Sequence, residues 1–148
     1  MSREDERRTA QILVVEDDPG ERRLLLEALQ AGPAPKNISV VSDGVEAMAF
    51  LRRQGRHADS RRPDLILMPM TIPRGDGRHL IAEIKSDPLL KCIPILVLTS
   101  SQSEQDVDQA YEASANCYVV KPVEMDRFFS VVRAIEDFWL SVVVPPPD

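Results

Sequence analysis

Five short apolar runs recur along the chain with segments of helical period between them. They are Ile12–Val15, Ile38–Val41, Leu65–Met68, Ile95–Leu98 and Cys117–Val120. A continuous run such as Ile12–Val15 suits a strand buried on both faces, whereas Ile38–Val41, interrupted by Ser39, reads as a partly alternating strand. After Pro19-Gly20, residues Leu24, Leu25, Ala28 and Leu29 fall at helix spacing, and Gly32-Pro33 is a stop signal. Asp43 can cap a helix from Gly44 to Gln54 with Val45, Met48 and Ala49 on one side. Leu80, Ile81 and Ile84 mark a third helix after the turn cluster Pro73–Gly77. Ser103 with Asp106 resembles a capping box for a helix carrying Val107 and Ala110. Phe128, Val131, Val132, Ile135 and Trp139 form a wide stripe on the last helix, to be packed on the sheet or on a partner. Strand and helix alternating five times predicts an α/β fold with a doubly wound parallel sheet. Right-handed crossovers then put helices on both faces.

Composition narrows the function. In 148 residues, 24 acidic side chains face 18 basic ones, a net charge of −6. Nucleic-acid backbone wants a basic face, so nucleic acid is not an expected partner. No polybasic block would hold an anionic membrane, and no apolar run approaches the ~20 residues that span one. The opening residues MSREDERRTA carry no apolar segment of a secretory signal, which predicts a cytoplasmic protein. Cys92 and Cys117 lie far apart beside apolar runs and read as small core residues in a reducing compartment. The basic stretch Arg56 to Arg62 reads as a solvated connection. The expected organisation is a charged tail over residues 1–10, one domain over 11–139 and an apolar, Pro-ended extension over 140–148.

In a doubly wound sheet, ligands sit outside the carboxyl ends of the strands. Glu16, Asp17 and Asp18 follow the first strand, Pro69, Met70 and Thr71 the third, Thr99 to Ser101 the fourth, and Lys121-Pro122 the fifth. Consecutive carboxylates repel one another until solvent or a cation relieves them. A hard cation such as Mg2+ takes oxygen ligands and shares phosphates. The Thr99 hydroxyl and the Lys121 ammonium would suit the phosphate oxygens left exposed. Alone, the acidic residues could equally cap the next helix. Together at one sheet edge, the three features make a site.

With these residues in that order, the chain resembles the receiver domain of two-component response regulators from about Gln11 to Trp139. The matching pieces are Ile12–Asp18, Pro63–Met68, Ile72–Gly77, Pro94–Ser100 and Val120–Pro122. The resemblance implies a flavodoxin-like fold of strand order 2-1-3-4-5 and phosphoryl transfer from a sensor histidine kinase. It implies that Glu16, Asp17 and the Thr71 carbonyl are Mg2+ ligands. Thr99 then matches the switch hydroxyl, Tyr118 the switch aromatic and Lys121 the lysine that pairs with phosphoryl oxygens. Pro122 matches a cis-proline.

One position departs from that pattern. The family's phosphoacceptor is an aspartate directly after the third strand, where this chain has Pro69. Met68 and Met70 flank it, so no one-residue slip recovers a carboxylate, and Asp64 and Asp76 stand too far along the chain. An acyl phosphate needs a nucleophilic carboxylate oxygen, and a pyrrolidine ring offers none. The same carboxylate would be a metal ligand, so Mg2+ binding should weaken. Proline in a central strand also removes a ladder donor. Three explanations fit: a pseudo-receiver that signals by binding alone, an engineered or laboratory-acquired change, or an error in the sequence as written. Retention of Glu16, Asp17, Thr99 and Lys121 favours the last two together.

The extension resembles that of single-domain regulators of bacterial phytochrome kinases, in which such an arm packs on a second subunit. Consecutive β-branched residues favour an extended arm, predicting a homodimer through the last helix and this segment. Two other classes compare poorly. A Mg2+-dependent phosphohydrolase would need a Thr after its carboxylate pair and a cap domain. A flavodoxin would need a Ser/Thr-rich phosphate loop where Glu16–Asp18 stand. The chain is therefore expected not to be an enzyme.

Overall fold

The computed structural model describes residues 9–73 and 76–142. Its strands are β1 (Ala10–Val15), β2 (Lys36–Val41), β3 (Leu65–Met68), β4 (Ile95–Thr99) and β5 (Cys117–Val120). Its helices are α1 (Pro19–Ala31), α2 (Gly44–Leu51), α3 (Gly77–Ser86), α4 (Glu104–Glu112) and α5 (Met125–Glu136). The strands pair in parallel in the order β2-β1-β3-β4-β5, the flavodoxin-like topology expected. Pairings such as Ile12 with Leu65 and Met68 with Val97 fix the central register.

Side-chain alternation divides the core into two layers. Ile12, Val14, Leu65 and Leu67 point to the face covered by α1 and α5, where they meet Leu29, Phe128 and Val132. Leu13, Val15, Ile66 and Met68 point to the other face and meet Ala47, Ile81 and Ala110 of α2, α3 and α4. Every residue of β3 and β4 is buried. Continuous apolar sequence is what a strand covered on both sides requires. The stripe on the last helix thus packs on its own sheet.

Four helices start on a side-chain cap. Asp18, Asp43, Asp76 and Ser103 accept from the amides of Glu21 (3.2 Å), Glu46 (2.8 Å), His79 (2.7 Å) and Asp106 (3.4 Å). Only half of the expected capping box forms at α4. The Asp106 carboxylate turns instead to the Ser101 hydroxyl at 2.6 Å. At α3, Gly77 donates its amide to the Met70 carbonyl at 2.8 Å, and a Cβ there would run into the Met70 backbone. That glycine closes the loop after β3.

Several expectations need correction. Helix α2 stops at Leu51 rather than Gln54, because Arg53 adopts a left-handed φ of 55° that no α-helix continues. A 3-10 turn over Gly55–His57 follows. The last α-helix ends at Glu136, and Trp139 lies on a π-helical turn over Asp137–Val142. Cys92 is exposed and Cys117 half-buried. In the turn before β4, Leu90 and Ile93 take the interior positions and leave Cys92 outside. Most of the 140–148 extension lies outside the described residues. Among those described, no helix is long and apolar enough to cross a membrane.

Candidate functional site

The carboxyl ends of β1, β3, β4 and β5 converge on one edge, so the residues after each strand become neighbours by topology. The turn after β1 is tightly organised. The Glu16 amide donates to the Val41 carbonyl at 2.9 Å, and the Glu16 carbonyl accepts from Arg22 Nη2 at 2.7 Å and Nε at 3.2 Å. Arg22 Nη2 also donates to the Ser42 hydroxyl at 3.0 Å. One guanidinium thereby clamps the acidic turn to the end of β2. Sequence reading passed over Arg22, whose signal is its place one turn into a helix that starts beside the acidic residues.

Glu16 is half-buried, and Asp17 and Asp18 are exposed. Burial is the main reason the Glu16 carboxyl is pushed above its usual range. The Asp18 amide, donating to Glu16 Oε2 at 3.2 Å, and the nearby Lys121 charge oppose that shift, while Asp17 and Glu21 add to it. Asp18, third in the acidic run, serves as the cap of α1.

Lys121 begins the connection from β5 to α5. Its amide donates to the Thr99 carbonyl at 2.7 Å, holding the ends of β4 and β5 together. Its ammonium pairs with Glu21 Oε2 at 2.5 Å and lies 5.9 Å from the centre of the Phe128 ring. Glu21 is a second residue that sequence reading missed. It is the third residue of α1, after an Asp-Pro-Gly start, and the local pattern suggests only a second half of a helix cap.

Thr99 is buried, and its hydroxyl accepts from the Ser101 amide at 3.5 Å. Tyr118 is half-buried against the α2–α4 side of the core, with its hydroxyl donating to the Ser101 carbonyl at 2.9 Å. The Thr99–Ser101 loop therefore touches both the hydroxyl and the aromatic expected to act as a switch. The cis-proline is a correction. The described residues contain no cis peptide, so the Lys121–Pro122 bond is trans, the intrinsically preferred isomer.

Pro69 is half-buried directly after β3, and Thr71 is exposed. The strand pairs with β4 through Met68 and ends there. Proline stands one residue past the β4 ladder, but on the other side β1 runs on to Val15 while its pairing with β3 stops at Val14 and Leu67, where a proline at 69 has no amide to carry the ladder further. For a divalent cation, the donors that the family resemblance implies are the Glu16 and Asp17 carboxylates and the Thr71 carbonyl. Among the described residues no cluster of three acidic, histidine or cysteine side chains is present. The donor set fits such an ion only in part.

A family model for the response regulator receiver domain matches residues 12–133. Response regulator Rcp1 of Synechocystis sp. is 44% identical over 135 residues, covering 91% of this chain and 92% of that protein. A crystal structure of its Mn(2+)-bound form superposes with a TM-score of 0.86 at 43% identity, covering 93% of this chain and 99% of that one. The phosphorylated cyanobacterial phytochrome response regulator RcpA superposes with a TM-score of 0.89 at 44% identity, over 94% and 99% of the two chains. The bacteriophytochrome response regulator RtBRR gives 0.70 at 35%, over 94% and 85%. Receiver domains as a class bind Mg2+ and serve two-component signalling with sensor histidine kinases. With its sheet order, acidic turn and matched sequence, this chain belongs to the response regulator receiver family.

Proposed function

We propose that the chain acts as a phosphorylation-independent receiver, docking on a sensor histidine kinase of the phytochrome class without accepting its phosphoryl group. The observation that carries this reading is Pro69 at the end of β3, where the family places its nucleophile. A ring without a carboxylate oxygen cannot attack phosphorus. Glu16, Asp17 and the Thr71 carbonyl still offer oxygen to Mg2+, and the lost carboxylate makes that binding weaker. Lys121 and Thr99 keep the positions that would contact phosphoryl oxygens, but Glu21 supplies the lysine's counter-charge instead.

The likeness to phytochrome regulators supports a kinase of that class as partner and the cytoplasm as location. A homodimer through α5 and the C-terminal extension is the assembly we infer; a chain cut after Trp139 that still sediments as a dimer would reject the role of the extension. The chain turns over no substrate on this reading. The test uses an autophosphorylated phytochrome-type kinase with the chain and its Pro69→Asp variant. Both should bind the kinase with similar affinity, and only the variant should take up phosphoryl. Transfer to the unaltered chain, or kinase binding by the variant alone, would overturn the proposal.

A further inference from the structure

Between α2 and β3, residues 52–62 contain five arginines and one aspartate, a local charge of +4 in a chain of net −6. This stretch and the 87–93 turn border a groove of about 350 Å3. It opens near the amino ends of β3 and β4, away from the strand ends that carry the acidic turn. Its floor is apolar, formed by Leu51, Leu90 and Ile93. On its rim Leu89 is 78% exposed, an apolar side chain open to a partner.

The arginines differ in what they do. Arg52 pairs with Glu83 and Asp87, Arg56 with Glu46, and Arg62 Nη1 donates to the Leu89 carbonyl at 2.6 Å. Arg53 and Arg61, both exposed, have no carboxylate partner among the described residues. Arg53, with φ of 55°, forms the left-handed cap that closes α2, its amide donating to the Phe50 carbonyl at 3.2 Å and the Gln54 amide to the Ala49 carbonyl at 2.9 Å. Two guanidiniums with no carboxylate partner among the described residues therefore stand beside an apolar slot.

We propose that this groove docks an acidic segment of a partner protein that presents one large apolar side chain. The apolar group would enter the slot beside Leu89, and carboxylates would pair with Arg53 and Arg61, whose fork geometry suits them. A nucleic acid fits less well. Its phosphate backbone presents no aliphatic side chain for the slot, and its many charges would meet a protein of net charge −6 around a patch of only two arginines without a carboxylate partner among the described residues. A membrane surface would find one apolar residue and a net-negative protein around it. Because the groove is remote from Pro69, such docking needs no phosphoryl switch and stands whether or not residue 69 is competent.

The experiment titrates the full-length, 15N-labelled chain with a short synthetic peptide rich in Glu and Asp around one Phe. Control probes replace the Phe by Gly, replace the acids by Lys, or are oligouridine or phosphatidylglycerol vesicles. Amide shifts should concentrate at Arg53, Arg61 and Leu89. The paired change R53E/R61E should weaken binding at least about tenfold. The neutral pair R53Q/R61Q should weaken it less, with an unchanged denaturation midpoint showing that the fold is kept. Removing the Phe should also weaken binding. Shifts centred elsewhere, equal affinity after R53E/R61E, or tighter binding of RNA or vesicles than of the peptide would each overturn the proposal.

Discussion

Two lysine–glutamate pairs stand at opposite ends of the sheet, and their surroundings give them opposite characters. Lys36, at the start of β2, meets Glu136 at the end of α5 at 2.8 Å, with side-chain exposures of 6% and 1%. Lys121, after β5, meets Glu21 of α1 at 2.5 Å, with exposures of 16% and 42%. The first pair is wrapped by its own neighbours. Lys36 also donates to the Gly32 carbonyl at 3.1 Å, and Glu136 also accepts from the Ala34 amide at 3.3 Å. It ties the α1–β2 connection to the end of the last helix. The second pair leaves its carboxylate in water and can be opened at little cost. A buried pair fixes the frame, whereas a half-exposed one leaves a charge free to be re-partnered.

The sharpest way to break this contrast is to remove one partner at a time. Glu136→Ala should cost about 3–5 kcal/mol in urea denaturation, since it strands a buried ammonium. The apolar pair Lys36→Met with Glu136→Leu should recover much of that loss. Gly32→Ala comes next, because a Cβ at residue 32 would overlap the Glu136 carboxylate. Overpacking of that kind costs about 1–3 kcal/mol, read by the same denaturation. Glu21→Gln, at the exposed pair, should cost no more than about 1 kcal/mol. A loss at Glu21 equal to that at Glu136 would erase the distinction.

The smallest effect concerns pH. Burial raises the Glu16 carboxyl in the folded state, so the fold binds that proton more tightly than the unfolded chain does. The stability so contributed is complete below the ordinary carboxylate value of 4.5 and is lost as pH rises through the raised value. Glu16→Gln should flatten this slope in metal-free buffer, measured as the urea midpoint across that window.

The contrast also shows what the sequence could reveal. Strands β3 and β5 were legible to the residue, because four apolar residues set between Asp64 and Pro69, or between Asn116 and Lys121, leave little choice. The caps at Asp43 and Ser103 were legible because capping is local. The partner of Lys121 was not, since Glu21 lies 100 residues away and only the closing of α1 onto α5 brings them together. Glu136 had a readable sign, a carboxylate one helical turn after Val132 on the buried stripe, which demands a buried cation without saying which. Cys92 was misread because an apolar run continues past the point where the chain turns outward. The trans bond before Pro122 depends on tertiary geometry that no dipeptide encodes.

At the candidate site, the roles of Glu16, Asp17, Thr99 and Lys121 came from strand-end position, and the structure adds the Arg22 clamp and the Glu21 counter-charge. The absent nucleophile was legible at once, because β3 admits no other register. The end of the strand was not, since only the pairing shows β3 stopping at Met68, before Pro69.

The most direct measurement is intact mass after incubation with acetyl phosphate and Mg2+, for this chain beside Pro69→Asp. The account predicts no mass change in the chain as it stands and a gain of one phosphoryl group in the variant. A phosphoryl adduct on the unaltered chain, mapped to the edge that holds Glu16, Asp17 and Lys121, would contradict it.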